Sequence, residues 1–235
     1  MSENDINLVL EPEKLSGRPE SMGQLLLRRF LHHRPAVAAL IIVGLLLLSA
    51  IAAPLYPYGP EKISLLDKFE PPSLKHLMGT DDLGRDLLAR ILYGGRVSLS
   101  VGLLATGLAL LLGTLVGALA GYYGGWLDGV LMRLTDIFLS FPSLFVLIVL
   151  GAMLRDTPIG QAQGSVVTII VVIGVLAWMM PARLVRATFL TLREQEFVVA
   201  SRALGASDRR IVLRHILPNA VGPIIVQGAL QTAYS

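Results

Sequence analysis

The chain has 235 residues, of which 54% are hydrophobic and only 16% are charged, and its formal net charge is +3 at pH 7. Soluble globular domains carry about 25% charged residues, so this composition excludes an ordinary soluble domain and indicates an integral membrane protein. The sequence contains no cysteine, which excludes disulfides and thiolate-bound metals and leaves the redox compartment undecided.

Apolar runs long enough to cross a bilayer recur along the chain. A helical span needs roughly 17 to 25 apolar residues, because lipid offers no partner for exposed backbone groups. The predicted fold class is therefore all-α, a polytopic transmembrane helix bundle. The predicted spans are residues 36–53, 97–120, 137–154 and 166–182, with an incomplete fifth span at 220–235.

Positive charges beside the spans predict which side each connecting segment occupies. A basic cluster precedes the first span, so residues 1–35 are predicted to be cytoplasmic, with 54–96 outside and the arginine-rich 183–219 inside. A cleaved secretory signal is the alternative for the first run, but the polar stretch before it is long for a signal peptide. The basic cluster consists of Arg28, Arg29 and Arg34.

The external stretch before the second span is rich in aspartate and arginine. Three aspartates and a histidine could be imagined as metal ligands or catalytic carboxylates, but their spacing fixes no such geometry. Asp86 and Arg90 are spaced i, i+4 and predict an ion pair on a short helix, while two glycines predict turns. We expect a structural role at the outer mouth. The residues concerned are His76, Gly79, Thr80, Asp81, Asp82, Gly84, Arg85, Asp86 and Arg90.

A strip of small residues follows in the second span, where Ala109, Gly113, Gly117 and Gly121 are four residues apart. This spacing places them along one helix face and predicts close packing against another span or a partner subunit. The alternative is that glycine is simply frequent in membrane helices.

Residues 193–218 are too polar to cross a bilayer and too regularly patterned for an unstructured loop. Phe197, Ala200 and Leu204 recur at helical spacing and predict one apolar face. A solvated connector between two membrane helices is the alternative interpretation of this pattern.

The second half of the same segment contains signals for a turn and a second helix. Gly205 has the permissive backbone with which helices end. Ser207 is a candidate N-cap, and Asp208 in the first turn suits the helix dipole. Pro218 is predicted to close this second helix.

Three stretches together resemble the permease subunits of binding-protein-dependent ABC transporters. Residues 193–218 resemble their cytoplasmic EAA loop, which docks into the ATP-hydrolysing subunit. Residues 76–98 resemble the external signature of the branch that imports dipeptides, oligopeptides, nickel complexes and glutathione, and residues 128–142 resemble its third-span entry. The matching residues include Gly205, Leu217 and Pro218; His76, Gly79, Thr80, Asp81, Gly84, Arg85, Asp86 and Arg90; and Asp128, Met132, Arg133, Asp136 and Pro142.

The segment departs from the general EAA pattern at a few positions. A glutamate and two alanines are typical before the glycine, where this chain has Val199, Ala200 and Ser201, and His215 replaces an isoleucine. Similar substitutions are common in the peptide branch. The resemblance implies an ATPase-coupling interface at Glu194, Phe197, Val198, Ala200, Ser201, Ala203, Leu204, Gly205, Ala206 and Ser207.

The resemblance also implies the fold and the partners. The fold is the type I, MetI-like permease, of which residues 97–235 would form the core. The partners are a second homologous permease subunit, cytoplasmic ABC ATPase subunits, an extracytoplasmic solute-binding protein and membrane lipid, without nucleic acid. ATP and Mg are expected on the ATPase, because this chain has no G-x-x-x-x-G-K-[ST] phosphate loop. No catalytic residue, cofactor or metal is expected on the chain itself.

The function implied is the permease subunit of a peptide importer in a bacterial or archaeal cytoplasmic membrane. Nickel complexes or glutathione are alternative solutes for the same architecture. Two alternatives of another class are an integral membrane enzyme that uses the external carboxylates and an assembly subunit that transports nothing. Family members usually have six spans, so the sequence is expected to end within the fifth.

Overall fold

A computed structural model describes residues 28, 30–154, 156–157 and 165–234 of the chain. Most of the predicted N-terminal segment 1–35, including Arg29, and the C-terminal Ser235 lie outside the described residues. The described residues are predominantly helical, as expected from the apolar runs, and the prediction of an all-α fold is confirmed. The chain divides into two units, residues 1–51 and 52–235.

The helices are numbered in chain order. The α-helices are α1 Arg34–Ala52, α2 Leu87–Tyr123, α3 Gly125–Ser140, α4 Ser143–Leu154, α5 Ser165–Leu176, α6 Met179–Arg193, α7 Glu196–Ala203, α8 Asp208–Ile211 and α9 Leu217–Tyr234. Short 3-10 turns occur at Ala53–Leu55 and Leu65–Asp67, and a π-helical turn at Val212–Ile216 joins α8 to α9.

Among the described residues, two helical stretches are each long and apolar enough to cross a membrane. They are Arg34–Leu55, with 22 residues, and Leu87–Tyr123, with 37 residues. At 1.5 Å per residue the second stretch is about 55 Å long, while the bilayer core is about 30 Å thick. The predicted span 97–120 therefore lies inside a helix that extends beyond it at both ends.

Two further apolar stretches are each divided between two helices. The predicted span 137–154 begins in α3 and continues in α4, and the two helices meet at 88°. The break lies at Phe141, whose backbone is extended because the residue before a proline avoids the helical region, here ahead of Pro142. The predicted span 166–182 passes from α5 into α6 across a bend of 41°.

The closest helix contact in the second unit joins α2 to α6. A Cβ atom added to Gly113 would lie 2.6 Å from Cβ of Pro181, and one added to Gly117 would lie 2.4 Å from the carbonyl oxygen of Ala182. At Gly121 the same atom would lie 2.7 Å from the carbonyl oxygen of Arg186. The two backbones therefore approach so closely that these positions of α2 leave no room for a side chain. Ala109 lies on the same face and is buried.

A second buried cluster joins the ends of these helices to the segment that follows α6. Phe189, Val198, Ile211 and Ile216 are fully buried in it. The list of its buried members is Tyr122, Val185, Phe189, Val198, Ile211, Ile216 and Ala220, which come from α2, α6, α7, α8, α9 and the π-helical turn.

The prediction that Pro218 closes the second helix of the segment is wrong. Helical structure continues from Asp208 through the π-helical turn into α9. Pro218 directly follows the π-helical turn, in which the N–H of Leu217 bonds to the carbonyl oxygen of Val212, so the regular α-helical hydrogen-bond pattern is already interrupted where the proline lacks its N–H.

We predict that Gly117→Ala destabilises the protein by about 1–3 kcal/mol relative to Gly107→Ala, because the new methyl group is forced against the α6 backbone. Gly107 lies in the same helix, and a Cβ added there would meet no heavy atom of any other described segment within 4 Å. Both substitutions gain the same helix propensity, about 1 kcal/mol. Thermal unfolding of the detergent-purified variants measures the difference, and equal midpoints would contradict the close contact.

Candidate functional site

Two regions contain the residues singled out by the sequence. We call residues 56–90 the loop motif and residues 193–218 the coupling segment. The loop motif extends into the first turn of α2, and the coupling segment begins at the last residue of α6. Both regions are therefore attached to the helix pair whose backbones are in closest contact.

The loop motif contains a buried pair, His76 and Asp86, which are 4% and 3% exposed. His76 Nδ1 donates a hydrogen bond to Asp86 Oδ2 at 2.8 Å. The other carboxylate oxygen of Asp86 accepts the backbone N–H of Ala89 at 2.7 Å, so Asp86 is the N-cap of α2. Burial, and then the neighbouring Asp86 carboxylate, raise the pKa of Tyr56, whose hydroxyl donates to that carboxylate.

The predicted ion pair between Asp86 and Arg90 is wrong. Arg90 donates instead to Asp81 at 2.7 Å, because the Asp86 carboxylate is already directed at its histidine and at the helix terminus. Asp81 also accepts the backbone N–H groups of Leu83 and Arg85, both at 2.9 Å. Partial burial raises the pKa of Asp81, but these hydrogen bonds and the Arg85 guanidinium outweigh it and lower the pKa to about 2.

Turns occur at the glycines where the sequence predicts them. Gly79 and Gly84 have φ angles of +75° and +70°, which side chains of L-amino acids rarely adopt. A Cβ at Gly79 would lie 2.5 Å from the carbonyl oxygen of Glu70, and one at Gly84 would lie 1.8 Å from that of Ser64. The two halves of the loop motif are thus packed backbone against backbone.

The histidine and aspartates imagined from the sequence as a metal or catalytic group do not all come together. His76 lies instead near Asp67 and Glu70, and Asp82 is exposed. A hydrogen bond from the Lys75 ammonium, and then one from a serine hydroxyl, lower the pKa of Asp67 to about 2. The sequence reasoning missed Asp67 and Glu70 because they lie six or more residues before His76 and show no ligand spacing.

The coupling segment has a buried side and an exposed side. Val198 is fully buried, so the prediction that it forms part of a partner interface is wrong. Phe197, Val199 and Leu204 are 40%, 55% and 88% exposed. The remaining predicted interface residues are exposed at Glu194, Ala200, Ala203, Gly205 and Ser207 and half-buried at Ser201 and Ala206.

The turn inside the coupling segment has the geometry that the sequence indicates. Gly205 has a φ of +80° and ends α7. Ser207 occupies the N-cap position of α8, but its side chain makes no capping hydrogen bond.

Polar contacts that the sequence did not reveal fasten the coupling segment to α2. Nη1 of Arg193 donates to the carbonyl oxygens of Gly121 and Tyr122 at 3.2 and 3.3 Å. The Tyr122 hydroxyl donates to Asp208 Oδ1 at 2.6 Å. These partners are 71 to 86 residues apart in sequence, so only the folded chain brings them together.

Two ion pairs fasten α3 to α6. Arg186 binds Asp128 with both Nε and Nη2, the second bond being 2.6 Å long, and Arg183 binds Asp136 through a single nitrogen. The sequence marked both aspartates as part of the third-span entry but gave no indication of their partners.

An apolar cavity of about 410 Å³ lies between the two bent helix pairs. Its lining contains no charged residue. The lining residues are Phe138, Leu139, Phe141, Ser143, Val146, Leu176 and Met179. The sequence gave no signal for it, because it exists only where the two bends face each other.

Comparison with known proteins covers most of the chain. Residues 113–235 match the family described as binding-protein-dependent transport system inner membrane component, and residues 21–72 match the N-terminal TM domain of oligopeptide transport permease C. The oligopeptide transport system permease protein OppC of Bacillus subtilis is 39% identical over 92% of this chain and 68% of its own length.

A second relative, the dipeptide transport system permease protein DppC of Alkalihalophilus pseudofirmus, is 38% identical over 83% of this chain and 62% of its own length. The chain thus spans about two thirds of the length of these curated relatives.

We predict that Arg186→Lys destabilises the protein by about 1–2 kcal/mol, because lysine keeps the charge but cannot bind Asp128 with two nitrogens. Arg183→Lys is the matched control in the same helix. Its ion pair has one bond between half-exposed side chains and should change stability by less than about 0.5 kcal/mol. The thermal unfolding midpoints of the two variants are compared. Equal decreases would contradict a stabilising contribution from the two-nitrogen contact of Arg186.

Proposed function

The chain belongs to the inner membrane components of binding-protein-dependent transport systems, and we propose from this membership that it is the permease subunit of an ABC importer of peptides. It is a multi-pass membrane protein. The names of the oligopeptide and dipeptide permease relatives support peptides as the solute. We place it in a bacterial or archaeal cytoplasmic membrane.

The two-sided coupling segment is the observation that supports this function best. Its buried side, with Val198, Ile211 and Ile216, is continuous with the packing of α2 and α6. Its exposed side carries Phe197 and Leu204, two large apolar side chains. Exposed apolar side chains of this kind are typical of surfaces that bind a partner. A partner bound to the exposed side would therefore push directly on the membrane helices.

The partner proposed for this surface is a separate ABC ATPase, which binds ATP and Mg. The chain itself lacks the phosphate loop needed to hold them. In this proposal the chain catalyses no reaction of its own. The Asp81 and Asp86 carboxylates support that assignment, since their hydrogen bonds go to the turn of the loop motif and to the start of α2.

The loop motif is proposed to face outward and to receive the solute-binding protein. Leu65, Leu66, Phe69 and Leu74 are strongly exposed on it and could pack against such a partner. A second permease subunit of similar sequence is proposed to complete the transport pathway. The exposed apolar faces of the membrane helices, for example at Leu104 and Leu111, are available to that subunit and to lipid.

We predict opposite labelling of cysteines placed at the two ends. The sequence contains no cysteine, so Leu66→Cys and Leu204→Cys each introduce one thiol without background. In spheroplasts a membrane-impermeant maleimide should label the first variant, and it should label the second after permeabilisation. Labelling of Leu204→Cys in intact spheroplasts would contradict the proposed topology.

We predict that Leu204→Ser weakens ATPase binding roughly tenfold or more, because burying a leucine at an interface contributes about 1.5–3 kcal/mol. Leu66→Ser is the matched control, since its side chain is also almost fully exposed but lies in the loop motif. Co-purification of the ATPase is measured for both. Both variants should keep the native unfolding temperature, which separates lost binding from misfolding.

The assignment of the coupling surface would be wrong if Leu204→Ser recovered as much ATPase as the unmodified chain. It would also be wrong if Leu66→Ser lost the ATPase to the same extent, because the effect would then not be specific to the coupling segment.

A further inference from the structure

Three side chains of the loop motif could supply ligands to one metal ion. One ring nitrogen of His76 and one carboxylate oxygen from each of Asp67 and Glu70 all lie within 4.8 Å of one another. His76 is buried, and the two carboxylates are half-buried. The group therefore combines a rigidly held imidazole with two carboxylates that water can reach.

The hydrogen bond made by Nδ1 decides which nitrogen of His76 is available. An ionised carboxylate can only accept, so Nδ1 carries the hydrogen in the bond to Asp86. In the neutral form of the ring, Nε2 then has a free lone pair. It is buried and has no hydrogen-bond partner among the described residues. A buried polar atom without a partner lowers the stability of the folded state, because it has lost its hydrogen bonds to water.

This arrangement is the one in which histidines commonly bind metals. A carboxylate that accepts from one ring nitrogen fixes the orientation of the ring and increases the basicity of the other nitrogen. Here Asp86 is the carboxylate that accepts from the ring, and its own position is fixed because it caps α2. The ring of Tyr58 lies against His76 with the centroids 4.8 Å apart and further restricts the imidazole.

A positive charge already lies beside one of the carboxylates. Nζ of Lys75 is 2.7 Å from Asp67 Oδ1, and the lysine side chain is 54% exposed. A divalent cation would take over the attraction of Asp67 and would repel the ammonium group, which has free access to solvent. Lys75 is thus a competitor for the site, and its removal should favour the metal.

We propose that His76 Nε2, Asp67 and Glu70 bind a Zn²⁺ ion in the loop motif. Zinc binds imidazole and carboxylate ligands at about 2.0–2.2 Å, which in a tetrahedral site places the ligand atoms roughly 3.3–3.6 Å apart. The three ligand atoms here lie within 4.8 Å of one another, so side-chain rotations would bring them together around the ion. Calcium and magnesium prefer sites built from oxygen alone, so the nitrogen ligand favours zinc over them. An adjoining cavity of about 260 Å³ has room for water as a fourth ligand.

The test uses the full chain, purified in detergent through a tag without histidine. Zn²⁺ alone is titrated by calorimetry, and Co²⁺ is titrated in parallel because four-coordinate cobalt has a characteristic visible absorption. We expect one ion per chain. Glu70→Gln should weaken binding by at least roughly 100-fold, since even partners one shell outside a metal cost 10–100-fold.

Two further variants separate a metal site from a merely structural cluster. Lys75→Gln should bind Zn²⁺ more tightly than the unmodified chain, whereas a structural role predicts no gain. Glu61→Gln is the matched control for Glu70→Gln, because this exposed glutamate lies in the same loop motif outside the group, and it should bind normally.

The proposal would be overturned if Zn²⁺ failed to bind at micromolar concentration. It would equally be overturned if Glu70→Gln and Glu61→Gln bound alike, because the ion would then be held adventitiously by other groups, including the remaining histidines. The zinc affinity of His76→Gln is a second test of the proposed ligands. The unfolding temperature of this variant shows whether it is folded. If that variant folds and still binds zinc at full affinity, His76 is not a ligand.

Discussion

The close backbone contact between α2 and α6 is the constraint on which the second unit depends. At Gly113, Gly117 and Gly121 no side chain separates the two helices, so neither can slide or rotate without forcing backbone atoms together. The loop motif is attached to the start of α2 through Asp86, and the coupling segment is attached to the end of α6 at Arg193. In the proposed function, a displacement of the coupling segment would be transmitted through this helix pair to the start of α2 as a rigid-body movement.

The inner side of the coupling segment is part of the packed interior. Val198 and Ile211 are fully buried, and the hydrogen bond from Tyr122 to Asp208 adds a polar contact at the edge of the same cluster. Packed interiors have few voids and transmit strain instead of absorbing it. The exposed side, with Leu204 at its tip, has no comparable packing among the described residues, so its apolar area stays exposed.

The sequence predicted what depends on local pattern and missed what depends on distant contacts. The apolar runs, the small-residue strip and the turn at Gly205 each depend on residues that are close together in the sequence. The structure contains each of them. Spacing in the coupling segment suggested an apolar face through Phe197, Ala200 and Leu204, but it could not show that Val198 would be buried while Leu204 stayed exposed. The partner of Arg90 was misjudged for a similar reason. An i, i+4 spacing permits a pair with Asp86, and the N-cap hydrogen bond removes it.

In the loop motif, one buried carboxylate connects the start of α2 with the imidazole of His76. This carboxylate, Asp86, satisfies the first turn of α2 and one nitrogen of His76 at once, so the helix start and the orientation of the ring are determined together. Within the described part of this motif, Nε2 of His76 is the buried side-chain polar atom that lacks a partner. A group bound to Nε2 would restrict the imidazole, and through its Nδ1 hydrogen bond the carboxylate of Asp86. Since a ligand that binds only the folded form stabilises it, occupancy of this nitrogen and the integrity of the α2 start are thermodynamically linked.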